Sequence, residues 1–266
     1  MVRQPHFTLI PVHFPIVMPG DKLAQVVYGS LKNQSLTLRR GDVLAVASKI
    51  VSISERRVAR LADLRISARA ARLSRRWRID ERLAAVIVEE ADEILGGVNG
   101  FLLTMKDGIL TPNAGVDLKN SPPGTATLWP ANPDRSASLL RRSLERKFRA
   151  RIGVVIVDSH VTALRLGTVG LAIGLSGFVP VRDHRGARDL FGRPVRVTQT
   201  NVADDIAAAA HLLMGESSEG IGAVVIQGSA VGMNTQATSR FAKLNRRKCL
   251  IGNSLVSLRY GATRQS

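Results

Sequence analysis

The 266-residue chain contains one cysteine, Cys249. A single cysteine excludes an intrachain disulfide and any zinc site built from several cysteines. Long hydrophobic runs are also missing, because the longest one, residues 169–181, is diluted by glycine and too short to span a bilayer. The apolar segment of residues 7–18 is interrupted by two prolines and is interpreted as strand and turn, not as a signal peptide. We therefore expect a globular protein, with no membrane association and with the cytoplasm as its default location.

Aromatic residues are scarce, at 4%, whereas 38 Lys and Arg against 21 Asp and Glu give a net charge of +17. Such a charge indicates either a polyanionic partner or a surface that attracts small anions. The arginines concentrate in residues 56–82 and 141–151 at helical spacing, as on solvated helix faces, without the interleaved aromatic residues that stack on bases. Specific nucleic-acid binding is therefore not favoured, and attraction of anionic substrates is. An arginine-biased genome would explain the charge without any function.

The common nucleotide-binding and metalloprotease motifs are absent from the sequence. It has no Gly-x-x-x-x-Gly-Lys-Ser/Thr loop, no Gly-x-Gly-x-x-Gly after a strand and no His-Glu-x-x-His. Of the five histidines, His160 alone is adjacent to a predicted site, and we interpret it as structural or exposed rather than as a general base.

The most informative segment is residues 153–174, in which four β-branched residues (154–157) precede Asp158, Ser159 and His160. The run predicts a buried strand that ends at Asp158. In open α/β sheets, ligands bind at the carboxyl ends of strands, and oxygen ligands there suit Mg²⁺ or Mn²⁺. The glycines of this region would keep the backbone slim enough for a ligand to approach closely. A loop-capping role for Asp158 is the alternative.

Further oxygen ligands lie on separate predicted loops: Asp117 and Asn120, then Asp158 with Ser159, then Glu216. The Asn-Ala-Gly sequence of residues 113–115 predicts a tight turn that aims the Asp117 carboxylate. Carboxylates that converge on Mg²⁺ are typical of phosphoryl-transfer sites. Spacing alone leaves open whether these loops converge or carry unrelated turn acids.

Periodicity and turn residues predict the remaining elements. Asp80 is the predicted cap of the second helix, Asp107-Gly108 the hairpin turn and Gly215 the end of the last helix. In chain order we predict a helix at 22–31, a strand at 43–50, a helix at 80–95, a hairpin of 101–104 with 109–111, a loop at 112–133, helices at 134–149 and 202–214, a last strand at 224–227 and a weakly ordered tail after 231. We place one domain in residues 1–230, without a clear internal boundary, and a basic tail in 231–266.

Five motifs together resemble the coenzyme F420:L-glutamate ligase family, also called F420-0:gamma-glutamyl ligases. They are PIVMPGD (15–21), GDVLAVASKIVS (41–52), TPNAGVD (111–117), VDS with RLGTVGLAIG (157–174) and RDLFGRPVRVTQTNVADDIAAAAHLLMGE (188–216). The resemblance implies an α/β fold with mixed sheets, in two intertwined subdomains of a homodimer. It also implies GTP as the phosphoryl donor, two divalent cations (Mg²⁺ or Mn²⁺), and L-glutamate and a deazaflavin phosphodiester precursor as substrates.

Residue by residue, the resemblance implies that Asp117 and Asp158 hold the first metal, and that Ser159 and Glu216 hold the second. Arg165 would belong to a substrate loop. The nucleotide would be lined by Phe14, Pro15, Ile16, Val17, Ser48, Lys49, Asn120, Gly215, Ser217, Ser218, Gly220 and Ile221. The implied chemistry is attack of a substrate carboxylate on the γ-phosphate, followed by displacement of phosphate from the acyl phosphate by the amine of glutamate.

The chain departs from the family pattern at two places. Ile53 stands where the family has a lysine that contacts phosphate, and an isoleucine neither donates a hydrogen bond nor carries charge. Residues 159–165 stand where the family has Thr-Phe-Gly-Arg-Pro-Trp-Arg, and only the last arginine, Arg165, is kept. Two interpretations stay open: a divergent ligase, or a catalytically altered or inactive paralogue that binds nucleotide or cofactor without ligation.

Overall fold

A computed structural model of the protein describes residues 7–254. Within these residues the α-helices are α1 (Leu23–Asn33), α2 (Ser48–Ser54), α3 (Ala68–Trp77), α4 (Glu81–Glu90), α5 (Pro133–Phe148) and α6 (Val202–Met214), and residues 250–254 are helical as well. The strands are β1 (Thr8–His13), β2 (Val43–Ala47), β3 (Val58–Arg60), β4 (Glu93–Val98), β5 (Phe101–Lys106), β6 (Ile109–Pro112), β7 (Thr125–Thr127), β8 (Gly153–Val161), β9 (Thr168–Phe178), β10 (Val181–Asp183), β11 (Gln199–Asn201), β12 (Ile221–Gln227) and β13 (Met233–Asn234). The predicted α/β class with mixed sheets is confirmed. None of these helices is long and apolar enough to cross a membrane.

The main sheet has six strands in the order β1-β12-β2-β8-β9-β13. Strands β2 and β8 are parallel, and the other neighbours are antiparallel. Alternate residues of β8 enter different cores: Val154 and Ile156 pack on the side of α1 and α5, whereas Val155 and Val157 pack on the side of α6. Burial on both faces explains why the strand is a continuous apolar run instead of an alternating one.

Two glycines of β9 allow the helices on either side to approach this strand. A Cβ atom at Gly174 would lie 2.4 Å from the backbone of Pro133 at the start of α5. One at Gly170 would lie 2.2 Å from the carbonyl oxygen of Ala207 in α6. At these two positions the slim backbone serves helix packing, and not the ligand approach that the sequence suggested.

A second group of elements has its own core. Strands β4, β5 and β6 form an antiparallel sheet, and β3 pairs with β7. Helices α3 and α4 pack with them around buried side chains such as Ile79, Ile87 and Leu102. The predicted hairpin of β5 and β6 is confirmed, with Lys106 opposite Ile109 across the Asp-Gly turn.

Two predicted boundaries are wrong, the first because a helix begins early and the second because strand pairing overrides local periodicity. The predicted strand 43–50 ends at Ala47, and Ser48 begins α2. The predicted helix 80–95 is capped by Asp80 as expected but ends at Glu90. The glycines that were expected to stop it, Gly96 and Gly97, belong to β4, which pairs with β5.

The prediction that the strand ends at Asp158 is also wrong. Strand β8 continues through Asp158, Ser159 and His160 to Val161, because β9 pairs with it along this whole length. The parallel pairing with β2, however, stops at Val157. Asp158 is therefore the first residue of β8 beyond its parallel neighbour. It lies at the carboxyl end of the parallel pair, as expected, although β8 itself continues.

The C-terminal part of the described chain is tied to the main sheet. Strand β13 pairs with β9, so the strand at 224–227 is not the last one. Ser239 is buried, and the Asp134 carboxylate at the start of α5 accepts hydrogen bonds from its backbone N–H and its Oγ–H, each at 2.9 Å. The expectation of a weakly ordered tail is wrong for residues 231–254. Residues 255–266 lie outside the described residues, and the domain boundary at 230 stays a prediction.

The arginine-rich helix faces are mostly solvated, as predicted. Arg69, Arg72, Arg75 and Arg76 are exposed on α3. Arg141 on α5 is the exception: it is buried, donates to Ser176 Oγ at 3.0 Å and pairs with Glu145 at 2.8 Å. The periodicity of α5 could not reveal this, because Ser176 comes from β9.

Candidate active site

Asp158 lies beside the N-terminus of α2. Its Oδ1 accepts a hydrogen bond from the Oγ–H of Ser48, the first residue of that helix, and its Oδ2 accepts one from the indole N–H of Trp129 at 2.8 Å. Burial raises the pKa of the Asp158 carboxyl, and the two hydrogen bonds oppose this effect. The negative charge of Asp117 acts in the same direction as burial, so Asp117 is close enough to influence the pKa of Asp158.

Asp117 follows the predicted tight turn, which the structure confirms. Residues Asn113, Ala114 and Gly115 all have positive φ angles, of 52°, 54° and 71°. Positive φ costs an alanine roughly 1 kcal/mol, and Ala114 is fully buried in this conformation. The Asn113 side chain helps to hold the turn, since its Oδ1 accepts the backbone N–H of Leu102 at 2.8 Å.

Two contacts fix Asp117 itself. Its backbone N–H and C=O pair with Thr127 at 2.9 and 2.8 Å. Its side chain forms an ion pair with Lys49, with Nζ 2.5 Å from Oδ2. The same Lys49 Nζ donates to the backbone oxygen of Lys119. Lys49 on α2 thus connects the Asp117 loop to the edge of the main sheet.

Glu216 follows α6 directly after Gly215. Its carboxylate accepts from Lys119 Nζ at 2.9 Å and from Thr168 Oγ1 at 2.8 Å, and it lies 2.9 Å from His211 Nε2. The partial burial of Glu216 opposes ionisation, but these hydrogen bonds and the one from Ser159 outweigh it and lower its pKa to about 2. Glu216 is therefore a carboxylate at neutral pH.

The structure brings the predicted ligands of each metal together in pairs. Asp117 lies near Asp158, and Ser159 meets Glu216 through His211, whose Nε2 is 3.1 Å from Ser159 Oγ. Lys119 connects the pairs through the Glu216 ion pair, and Asn120 Nδ2 donates to the backbone oxygen of Ser217 at 2.6 Å. Among residues 7–254, no three His, Cys, Asp or Glu residues are grouped as a metal cage. The metal-binding role of these residues stays a prediction.

The residues predicted to line the nucleotide fall into neighbouring segments. The backbone N–H of Phe14, just after β1, donates to Gly220 O at 2.9 Å, so the two segments meet at these residues. The ring of Phe14 covers Gly222, where a Cβ atom would come within 2.4 Å of it. Val17 is buried, whereas Ile16 is 89% exposed. In the second segment the predicted residues Ser217, Ser218 and Gly220 are exposed, and Ile221 begins β12.

Two residues that the sequence analysis singled out lie elsewhere. Arg165 is at the exposed tip of the hairpin between β8 and β9, so its predicted contact with substrate stays a prediction. Ile53 is 5% exposed on α2 and belongs to the protein interior.

Sequence reasoning missed four side chains of the site: Trp129, His211, Lys119 and Thr168. The expectation that His160 is the only histidine near the site is wrong, because His211 contacts both Ser159 and Glu216. A polar residue in the last turn of the alanine-rich α6, just before Glu216, was the available signal. Trp129 gave no signal, because its contact with Asp158 joins residues 29 positions apart.

Known proteins are similar to this sequence over most of its length. A model of the family described as F420-0:Gamma-glutamyl ligase matches residues 11–228. The coenzyme F420:L-glutamate ligase of Methanopyrus kandleri is 40% identical over 213 residues, which cover 80% of this chain and 82% of that protein.

Two further archaeal relatives carry the same name. That of Archaeoglobus fulgidus is 38% identical over 80% of this chain and 84% of its own. That of Methanocaldococcus jannaschii is 38% identical over 84% of this chain and 88% of its own. The extent of the family match and the level of identity lead to one conclusion: the chain belongs to the F420-0:gamma-glutamyl ligase family.

Proposed function

We propose that the protein is a ligase that joins L-glutamate, through an amide bond, to a carboxylate of a deazaflavin (F420-type) phosphodiester precursor. GTP is the proposed phosphoryl donor, and Mg²⁺ or Mn²⁺ the proposed cofactor at two sites. The relatives are named coenzyme F420:L-glutamate ligases, which supports the glutamate-adding reaction. The observation that carries the proposal is the meeting of three carboxylates and two lysines, from four separate segments of the chain, at one end of the main sheet.

The donor set fits the proposed cations. Asp117, Asp158, Ser159 and Glu216 offer only oxygen, the ligand type that Mg²⁺ and Mn²⁺ prefer. Mg²⁺ is usually held by one or two carboxylates together with substrate phosphates and water, so two protein ligands for each ion suit this chemistry. The effect of the Asp117 charge on the pKa of Asp158 supports the fit, because neighbouring carboxylates favour a cation between them. When bound, the ions would neutralise charge on the phosphate oxygens.

The proposed reaction has two steps. A carboxylate oxygen of the precursor forms a bond to the γ-phosphorus of GTP while the bond to the bridging oxygen breaks, which gives an acyl phosphate and GDP. The amine nitrogen of glutamate then attacks the acyl carbon, phosphate leaves, and the nitrogen releases protons to form the amide. Such chemistry depends on positioning and charge neutralisation. Lys49 and Lys119 are the cations of the site that suit phosphate oxygens.

A nucleotide- or cofactor-binding protein without ligase activity is the alternative. The observation in its favour is Ile53, an apolar side chain inside the protein that supplies no charge to phosphate. Retention of the oxygen ligands Asp117, Asp158 and Glu216, each held by named hydrogen bonds, favours the active enzyme.

We also propose that the protein is a homodimer. Strands β10 and β11 pair with each other in a separate two-stranded sheet, and the arm between them exposes Leu190, Phe191 and Val197, each by more than 80%. The hairpin tip of β8 and β9 exposes Leu164 and Leu166 fully. Apolar side chains concentrated on projecting segments are typical of an interface, and a second copy of the chain is the proposed occupant.

The proposed reaction can be tested directly with purified protein, L-glutamate and the deazaflavin precursor, with GTP or ATP and with Mg²⁺ or Mn²⁺. We expect a glutamylated product and GDP only when GTP and metal are both present. Asp158→Asn, which removes one negative charge and keeps the size, should lower turnover roughly 100-fold or more, as does the loss of a preorganised electrostatic group. Asp63→Asn, at an exposed residue outside the site, is the matched control.

Two results would count against the proposal. Turnover by Asp158→Asn equal to that of the wild type would exclude Asp158 from the chemistry. Binding of GTP without any glutamylated product would favour the alternative of a binding protein.

A further inference from the structure

One short segment, residues 127–129, contacts both acidic residues of the predicted first metal site, Asp117 through its backbone and Asp158 through its carboxylate. Thr127 pairs with the backbone of Asp117 through two hydrogen bonds, of 2.9 and 2.8 Å. Two residues later, the indole N–H of Trp129 donates to the Asp158 carboxylate at 2.8 Å. Asp117 belongs to the loop after β6, whereas Asp158 belongs to the main sheet. The segment therefore connects two acids that come from different parts of the fold.

The indole of Trp129 also supports the turn that carries Asp117. A Cβ atom at Gly115 would lie 2.2 Å from Trp129 Nε1, so the ring packs directly against the backbone of this glycine. Trp129 is 2% exposed and belongs to the core of the main sheet. Its neighbour Leu128 belongs to the core around α3 and α4. The tryptophan thus stands at the junction of the two cores.

The backbone around Trp129 is held by Arg57. Arg57 Nε donates to the Trp129 carbonyl oxygen at 3.0 Å, and the N–H of Leu128 donates to the Arg57 carbonyl oxygen at 3.0 Å. The Arg57 side chain is itself held by Glu90, with Nη2 2.7 Å from Oε2. Because the backbone at Trp129 is anchored in this way, the indole cannot shift when the Asp158 carboxylate moves. The hydrogen bond from the indole therefore fixes the position of Asp158 relative to Trp129.

We propose that Trp129 is a positioning residue that holds the Asp158 carboxylate at a fixed place relative to Asp117. The inference rests on the proposed function, in which both acids bind one cation. Hydrogen bonds from outside the ligand set orient metal-binding side chains, and their loss typically weakens metal affinity 10- to 100-fold. Ser48 holds the other oxygen of Asp158, so removal of the indole N–H would leave the carboxylate attached at one oxygen and free to rotate.

The test compares Trp129→Phe, which keeps an aromatic ring and removes the N–H donor, with Trp77→Phe at the only other tryptophan. We expect calorimetry to show Mn²⁺ binding about 10- to 100-fold weaker in Trp129→Phe and unchanged in Trp77→Phe. We also expect a lower kcat in Trp129→Phe with an unchanged KM for L-glutamate. In the Trp77→Phe protein, Trp129 is the sole indole, and its fluorescence should change along the Mn²⁺ binding curve.

Two results would overturn the inference. One is wild-type Mn²⁺ affinity in a folded Trp129→Phe protein. The other, which holds even where that variant fails to fold, is an unchanged Trp129 emission while Trp77→Phe binds Mn²⁺. A purely structural role would lower the melting temperature of Trp129→Phe and leave the Mn²⁺ affinity of the folded protein intact. Failure of the wild type itself to bind Mn²⁺ would instead remove the proposed function, so the two failures are distinguishable.

Discussion

At the scale of single residues, two carboxylates of the candidate site experience opposite environments. Burial raises the pKa of Asp158, which accepts hydrogen bonds from neutral donors. Glu216 is partly exposed, and hydrogen bonds headed by that of Lys119 overcome its burial and lower its pKa to about 2. Carboxylates whose environments push their pKa values apart are typical of functional sites. Asp158 has more to gain from a nearby cation, because its charge is the less compensated one.

The environment of Glu216 predicts an acid-sensitive contribution to stability. Its pKa is about 2 in the folded protein against 4.5 as the ordinary value. The stabilisation is therefore fully present above pH 4.5 and is lost as the pH falls towards 2. Glu216→Gln should flatten the dependence of the unfolding free energy on pH over this range. Chemical denaturation at low ionic strength, at several pH values between 2 and 6, measures it.

Asp158 contributes with the opposite sign, because its raised pKa favours the folded state while the carboxyl is protonated, and this contribution is lost as the pH rises. The difference between the wild type and Glu216→Gln cancels this effect, since Asp158 is present in both. Glu89→Gln, at an exposed residue on α4, is the control and should keep the wild-type slope. Identical slopes for the wild type and Glu216→Gln would contradict the account of Glu216.

The residues that sequence analysis found and missed differ in a physical way. Asp117 was recognisable because Asn113 to Gly115 form a local turn whose geometry follows from neighbouring residues. Trp129 and His211 were not, because their contacts with Asp158 and Ser159 span 29 and 52 positions. Local patterns predict the backbone conformation at a residue, whereas the tertiary fold determines which distant residues its side chain contacts.

At the scale of elements, those defined by strong local signals were predicted well. Helix α6 runs from Val202 to Met214 and ends before Gly215, as expected. The hairpin of β5 and β6 also follows the sequence pattern. The errors occur where pairing with another strand determines an element's boundary. Strand β8 extends further than predicted because it pairs with β9, and the end of the predicted helix 80–95 forms β4 because it pairs with β5. In each case strand pairing changes the boundary without changing the residues that reach the site.

The projecting arm between β10 and β11 predicts dimerisation. Replacement of Leu190 and Phe191 by serine should leave the fold of the single subunit intact, because both side chains are exposed. Each fully buried apolar side chain contributes about 1.5 to 3 kcal/mol, so the double variant should weaken self-association by roughly 100-fold or more. Sedimentation velocity over a concentration series measures this change.

Val98→Ser, at an exposed apolar residue of β4, is the control for the arm variant. It should sediment as the wild type does. A wild-type protein that sediments as a monomer at every concentration would remove the homodimer proposal, whereas an arm variant that dimerises normally would place the interface elsewhere.

At the scale of the whole molecule, the basic helix faces and the acidic residues of the candidate site are distinct features. The chain carries +17 overall, and the described arginines of α3 point into solvent. The acidic residues Asp117, Asp158 and Glu216 meet at one place, accompanied by Lys49 and Lys119. A basic surface attracts anionic substrates over long distances. The preference for small anions over specific nucleic-acid binding stays a prediction, whereas the grouping of the three acids could only be read from the fold.

The central claim is that Asp117, Asp158 and Glu216 form a site for nucleotide and metal together, and thermal unfolding tests it most directly. The wild type and Asp158→Asn are melted with GTP or ATP, each with and without Mn²⁺. At ligand concentrations about 100 times Kd, linkage contributes about 2.7 kcal/mol, which is roughly 5 to 10 °C for a chain of this size. We predict this shift for the wild type only with GTP and Mn²⁺ together, and its loss in Asp158→Asn. An unchanged melting temperature of the wild type under every condition would contradict the account.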